Sequence, residues 1–228
     1  MVSEYYISSK AVLLQAFDEE SQSWRPVIAN HYGDDFANGL LAEARQEFEA
    51  LLPKIPHIGG EENHLTGSLL ESAWCLALYK AMQKHNKTAI ETGKILYDAA
   101  IIRMSDAHLT TSPAEMFTAE QLMEARKNRA IRSQQRLYPD DYVYELVVGD
   151  GVNFDYGYDF LECAAQKFFH AQGADEFTPF YCYLDFPKSS MGLRRTMTLS
   201  EGYAMCNHRF KAGRKAEFSW PPPFLKKE

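Results

Sequence analysis

The sequence predicts an α+β fold, with a helical N-terminal half packed on a C-terminal antiparallel sheet that carries an additional helix. Two observations lead there. Through the first half, apolar residues recur at helical spacing; beyond residue 142, short β-branched and aromatic runs alternate with a period of two. Helices first and strands afterwards is the α+β pattern. No repeat, linker or low-complexity segment divides the 228 residues, so residues 1–228 are expected to form a single domain.

The elements follow in order. Residues 34–53 read as a helix, with Phe36, Leu40, Ala44, Phe48 and Leu51 on one stripe, Asp34 or Asp35 as N-cap, and Pro53 and Pro56 closing it. IGGEEN, at 58–63, is a loop. Residues 66–84 form a second helix, capped by Thr66 and apolar enough to be buried on most sides. Residues 88–104 form a third, turning Ile95, Leu96, Ala99 and Ile102 inward. Residues 119–137 form a polar fourth helix, whose weak stripe of Leu122, Ala125, Ala130 and Leu137 suits a surface cover. YVYELVV, at 142–148, is a strand ended by the GDG turn. Residues 158–172 read as a helix stopped by Gly173. Residues 193–199 and 205–211 read as a hairpin with Gly202 in its turn. The prolines of WPPPFLKKE exclude regular structure there.

Composition narrows the function. A net charge of −7 argues against nucleic acid, which needs a basic face. The basic cluster at 209–215 reads as a solvated strand end. No apolar run approaches the roughly 18 residues of a membrane span. The N-terminus shows no secretory pattern, so the expected location is cytoplasmic, with Cys75, Cys163, Cys182 and Cys206 reduced.

The densest chemistry is DYGYDFLEC, at 155–163. Read as a helix start, it places Asp159 and Glu162 at the positive end of the dipole, and Cys163 on one face with Asp159 and Lys167. A thiol near a helix N-terminus and a lysine has reason to ionise, although Asp159 opposes this, and a lone buried cysteine usually serves as a small hydrophobe. Cys182 follows a proline-bearing loop, and Cys206 opens the last strand with His208 on the same face. These are metal-friendly identities without a metal-binding spacing. Arg194 and Arg195 point to opposite faces of a strand, so one can reach a pocket and clamp a carboxylate.

The run FDYGYDFLECAAQKFFHAQGADEFTPFYCYLDFP, followed by LRRTMTLSEGYAMCNHRFKAG, resembles the L-2-amino-thiazoline-4-carboxylic acid hydrolase family. The matching elements are Glu162 to Ala164, Lys167 with Phe168, Gln172 to Ala174, Cys182 before Leu184 and Asp185, Arg195 to Leu199, Gly202, and Cys206 with Arg209 to Lys211. The first half is similar too, through HYGDDFA, LLPKIPHIGG, Asn63 and WCLALYKAM. The resemblance implies a hydrolase that opens a small heterocycle, a cyclic C–N or C–S compound such as a 2-amino-thiazoline carboxylate. The family's usual CDFRFK reads CNHRFK here, so a related lactam, lactone or thiazoline enters the expected substrate range.

Such a reaction needs an acid or base, a nucleophile or activated water, and a carboxylate pocket. Chemistry assigns Cys163, Glu162, Asp159 and Asp185 to catalysis, and Asn63, Arg195, Arg209 and His208 to substrate. A distant likeness to vinyl-reductase-type sensor domains implies instead that Cys163, Cys182 and Cys206 hold zinc in a non-catalytic binding domain. An isomerase or cyclase in the same pocket is a third reading. The expected partner is a small-molecule substrate, with a homodimer allowed.

Overall fold

The computed structural model describes residues 4–107, 120–189 and 192–226. His108 and the first residue of the expected 119–137 helix lie outside them. Three helices that the sequence reading did not anticipate come first: α1 (Glu4–Ser8), α2 (Lys10–Ser21) and α3 (Arg25–Tyr32). Then come α4 (Asp34–Leu51), α5 (Thr66–Lys84), α6 (Ala89–Ala107) and α7 (Glu120–Gln134). The second half holds β1 (Val143–Val148), β2 (Tyr156–Glu162), α8 (Ala164–Ala171), α9 (Thr178–Tyr183), α10 (Asp185–Lys188) and β3 (Cys206–Phe210). The protein is α+β: mostly helical, with a three-stranded antiparallel sheet in the order β1-β2-β3.

Helix α5 is the centre of the core. Leu69, Ala73, Leu76, Ala77, Tyr79 and Met82 are all buried, so it is covered on most sides. Helix α4 packs its Leu40, Ala44, Phe48 and Leu51 stripe toward it. One apolar cluster runs from Tyr6 on α1 to Leu184 after α9 and ties the two halves together.

Several local expectations change. Gly33, at φ 90°, is the N-cap of α4, and Asp34 and Asp35 sit in its first turn, where they favour the dipole without capping. Thr66 is the first residue of α5, and its hydroxyl donates to the Gly60 carbonyl at 2.7 Å. Ile102 is 51% exposed, while Ile95, Leu96 and Ala99 are buried. Cys182 lies on a helix: Pro179 stands in the first turn of α9, where its missing N–H costs nothing.

The largest correction concerns 156–162. The segment is a strand, paired with β1 on one side and β3 on the other. Its aromatic residues alternate, with Tyr156, Tyr158 and Phe160 on one face, and that two-residue period outweighs the acidic spacing. Gly157 permits the close pairing with β3, because a Cβ there would lie 2.4 Å from the His208 carbonyl oxygen. The helix begins only after Cys163, and Gly173, at φ 67°, stops it as expected.

The expected hairpin is half formed. Residue Arg194 pairs with Arg209 through two backbone bonds, but 195–198 is irregular. The Asn207 side chain accepts from the backbone N–H of Thr196 and Met197, and the Cys206 sulfur accepts from Leu199. Side chains of β3 have taken donors that a regular ladder would use.

Candidate functional site

Cys163 stands where β2 hands over to α8. Its backbone is extended (φ −128°, ψ 117°), and it occupies the N-cap position. The N–H groups of Gln166 and Ala165 approach its sulfur and favour a thiolate. Burial dominates nevertheless and pushes the thiol up to about 12, so the resting group is a neutral thiol. Asp159 does not share its face, because it lies on the strand.

Three segments converge beside it. The side chain of Arg195 is only 4% exposed. Its Nη1 donates to Asp185 Oδ2 at 2.5 Å, and its Nη2 donates to the Cys182 carbonyl at 2.7 Å. Nη1 also lies 3.0 Å from His208 Nε2, which is 3.4 Å from Asp185 Oδ2. The other ring nitrogen, Nδ1, is a buried atom that finds no hydrogen-bond partner among the described residues. Burial lowers the His208 pKa against the pull of Asp185. Burial alone would raise the Asp185 carboxyl, but His208 and Arg195 outweigh it and hold it at about 2. Cys163, Cys182 and Cys206 each feel the Asp185 charge and belong to the same neighbourhood.

Asp185 is both deep and accessible. Burial is the first influence on its carboxyl, yet 46% of its side-chain surface is open, and Oδ1 makes no hydrogen bond among the described residues. Cys163 and Cys182 are also half-buried, with burial the first influence on each thiol. A recess of about 410 Å³, lined by Cys182, Phe186, Arg195 and Thr198, lies beside them, with Asp185's partner Arg195 in its wall.

The other expected site residues lie elsewhere. Asp159 and Arg209 pair with each other at 2.7 Å. The register puts them on the face of the sheet opposite Phe160, Cys206 and His208. Glu162 is held by Lys167 at 2.5 Å and by Arg136, and Lys167 also binds the carbonyls of Pro139 and Asp141. The hydrogen bond from Lys167 keeps Glu162 below its usual pKa, and the pair anchors the approach to β1. Arg195 directs both of its Nη nitrogens to protein partners, which suits holding Asp185 and His208.

Asn63 leads to a second polar region. Its amide Nδ2 donates to both oxygens of Asp141 at 2.9 Å, and Asp141 Oδ1 accepts the Tyr142 N–H at 2.7 Å. Burial raises the Asp141 carboxyl, and its hydrogen bonds offset this only in part. The pair lines a cavity of about 260 Å³ with His64, Arg129, Arg132, Tyr138 and Tyr144. The sequence reading missed Asp141, because its partner is 78 residues away and YPDDY looks like an ordinary turn. Buried Tyr142 lies between the regions: it lines the cavity, and its hydroxyl feels Cys163, Asp141 and Asp185.

Among the described residues, no group of three His, Cys, Asp or Glu side chains is arranged to hold a metal ion, so Cys163, Cys182 and Cys206 do not form the expected zinc site there. Cys206 already accepts the Leu199 N–H. No helix of the described residues is long and apolar enough to cross a membrane.

Comparison with curated proteins and with solved structures gives no match. The family model for L-2-amino-thiazoline-4-carboxylic acid hydrolase matches residues 67–210. That span is well over half of the chain and takes in α5, the whole sheet, Cys163, Asp185, Arg195 and His208. With its sheet, its thiol and its fixed carboxylate all inside the matched region, the chain belongs to the L-2-amino-thiazoline-4-carboxylic acid hydrolase family.

Proposed function

We propose that the protein hydrolyses a small cyclic C–N or C–S compound of the 2-amino-thiazoline carboxylate type, at Cys163 and Asp185 beside the recess. The observation that carries this reading is a half-buried thiol at a helix N-terminus beside a carboxylate that Arg195 and His208 keep ionised on one side and leave open on the other.

A cyclic amidine protonated on nitrogen is a cation. Asp185 Oδ1 is free to accept its N–H and orient it. Bound there, the cation favours ionisation of the neighbouring Cys163 thiol, which supplies the nucleophile. The thiol proton passes to water, and attack of the thiolate at the cationic carbon between sulfur and nitrogen gives a neutral tetrahedral adduct; the backbone N–H groups at the start of α8 favour the thiolate before it attacks. The ring then opens and water releases the product. In sum the water oxygen becomes the new carbonyl, and its two hydrogens end on the ring heteroatoms.

Mass spectrometry of the purified protein with L-2-amino-thiazoline-4-carboxylate tests the proposal. A product heavier by one water is expected. An isomer of unchanged mass, or no product from this substrate and related thiazolines and lactams, would overturn it.

A further inference from the structure

The cavity beside Asn63 is separate from the recess and is lined by charges of both signs. It is enclosed by the 58–65 loop, α7 and the approach to β1. Its acidic groups are Asp141, Glu61 and Glu62, of which Glu62 is paired with Arg132, whose charge also bears on Asp141. Arg129, on α7, lines the cavity without a carboxylate partner among the described residues. Its charge reaches His64 and Tyr144, whose polar atoms lie 3.4 Å apart. Burial, with Arg129 nearby, lowers the His64 pKa, so beside Arg129 stand a neutral ring and a hydroxyl.

We propose that this cavity binds a small α-amino acid as a zwitterion, its ammonium on Asp141 and its carboxylate on Arg129 beside Tyr144 and His64. The size fits: about 260 Å³ is below the ~300–1,000 Å³ of sites for drug-sized ligands and suits a molecule of a few heavy atoms. The chemistry fits both ends of the ligand. A half-buried carboxylate whose neutral amide partner leaves it under-compensated gains from an ammonium, and an unpaired guanidinium gains from a carboxylate. Asn63 and the Tyr142 N–H fix the Asp141 carboxylate in place beforehand, which lowers the cost of binding.

Isothermal titration calorimetry on the full chain with S-methyl-L-cysteine tests the site. Saturable binding at one site is expected, with the methyl ester and the N-acetyl derivative each at least about tenfold weaker. Arg129→Met should lose the preference for the free acid over the ester. Asp141→Asn should lose the preference for the free amine over the acetylated form. Cys163→Ser should bind as the unaltered protein does. Absence of binding, the same affinity in Arg129→Met and Asp141→Asn as in the parent, or loss of binding in Cys163→Ser would each overturn the proposal. All three readouts are independent of turnover, so a failure of the hydrolase reading leaves them intact.

Discussion

Asp185 and Asp141 both bear on the Tyr142 hydroxyl, and each is held by a nitrogen donor, Arg195 ten residues on for the first and Asn63 78 residues back for the second. Burial raises the carboxyl in both, yet Asp185 ends far below its usual value and Asp141 above it. The difference lies in the partner. Asp185 faces a guanidinium that is itself buried; Asp141 faces the neutral amide of Asn63. A hydrogen bond from an amide satisfies geometry but brings no net charge to offset desolvation. One carboxylate is therefore a fixed anion, and the other is one that a cation can still stabilise.

The sharpest way to break this comparison is Cys163→Ser. Turnover should fall by at least about a thousandfold while the fold is kept, measured by single-turnover mass spectrometry alongside circular dichroism. Normal turnover would remove the recess from the chemistry. Next is Arg195→Leu, which strands Asp185 and His208. A loss of about 3 kcal/mol is expected in urea unfolding, toward the low end for a buried pair because Asp185 is half open. A loss below about 1 kcal/mol would mean that the guanidinium is not what holds Asp185.

The two carboxylates also predict opposite pH dependence. Asp185 has a depressed folded-state pKa, so its contribution is present above the unfolded value of 3.8 and is lost as pH falls toward about 2. Asp141 has a raised one, so its contribution is present below the unfolded value and is lost as pH rises through its folded pKa. Urea midpoints followed from neutrality to about pH 4.5 should show a stability gain that Asp141→Asn reduces. An unchanged pH profile in that variant would contradict the raised value. The smallest effect belongs to Asp159→Asn on the opposite face of the sheet. It should change stability by under about 1 kcal/mol and leave turnover unaltered.

Much of the architecture was legible because it rests on periodicity. The α4 and α5 stripes, β1, and the stop at Gly173 are local patterns that tertiary structure leaves in place. Residues 156–162 misled because acidic spacing imitates a helix start, whereas the alternation of Tyr156, Tyr158 and Phe160 was the stronger signal. The 193–199 segment misled because its donors go to the Asn207 and Cys206 side chains, a competition that propensity does not contain. In the site, strand alternation drew attention to Arg195 and His208, and the family resemblance drew it to Asp185. Asp141 stayed hidden because its environment comes from the 58–65 loop.

Cys163 also constrains the length of its own segment. One inserted residue before it would exchange the two faces of β2, and one after it would turn α8 by about 100°. The sheet already takes up one irregularity here, where the register shifts opposite Val143 and Tyr144, and a second would displace the sulfur. Relatives that keep this architecture should therefore show no gap between Tyr156 and the first turn of α8, while the 149–155 turn remains free to vary in length.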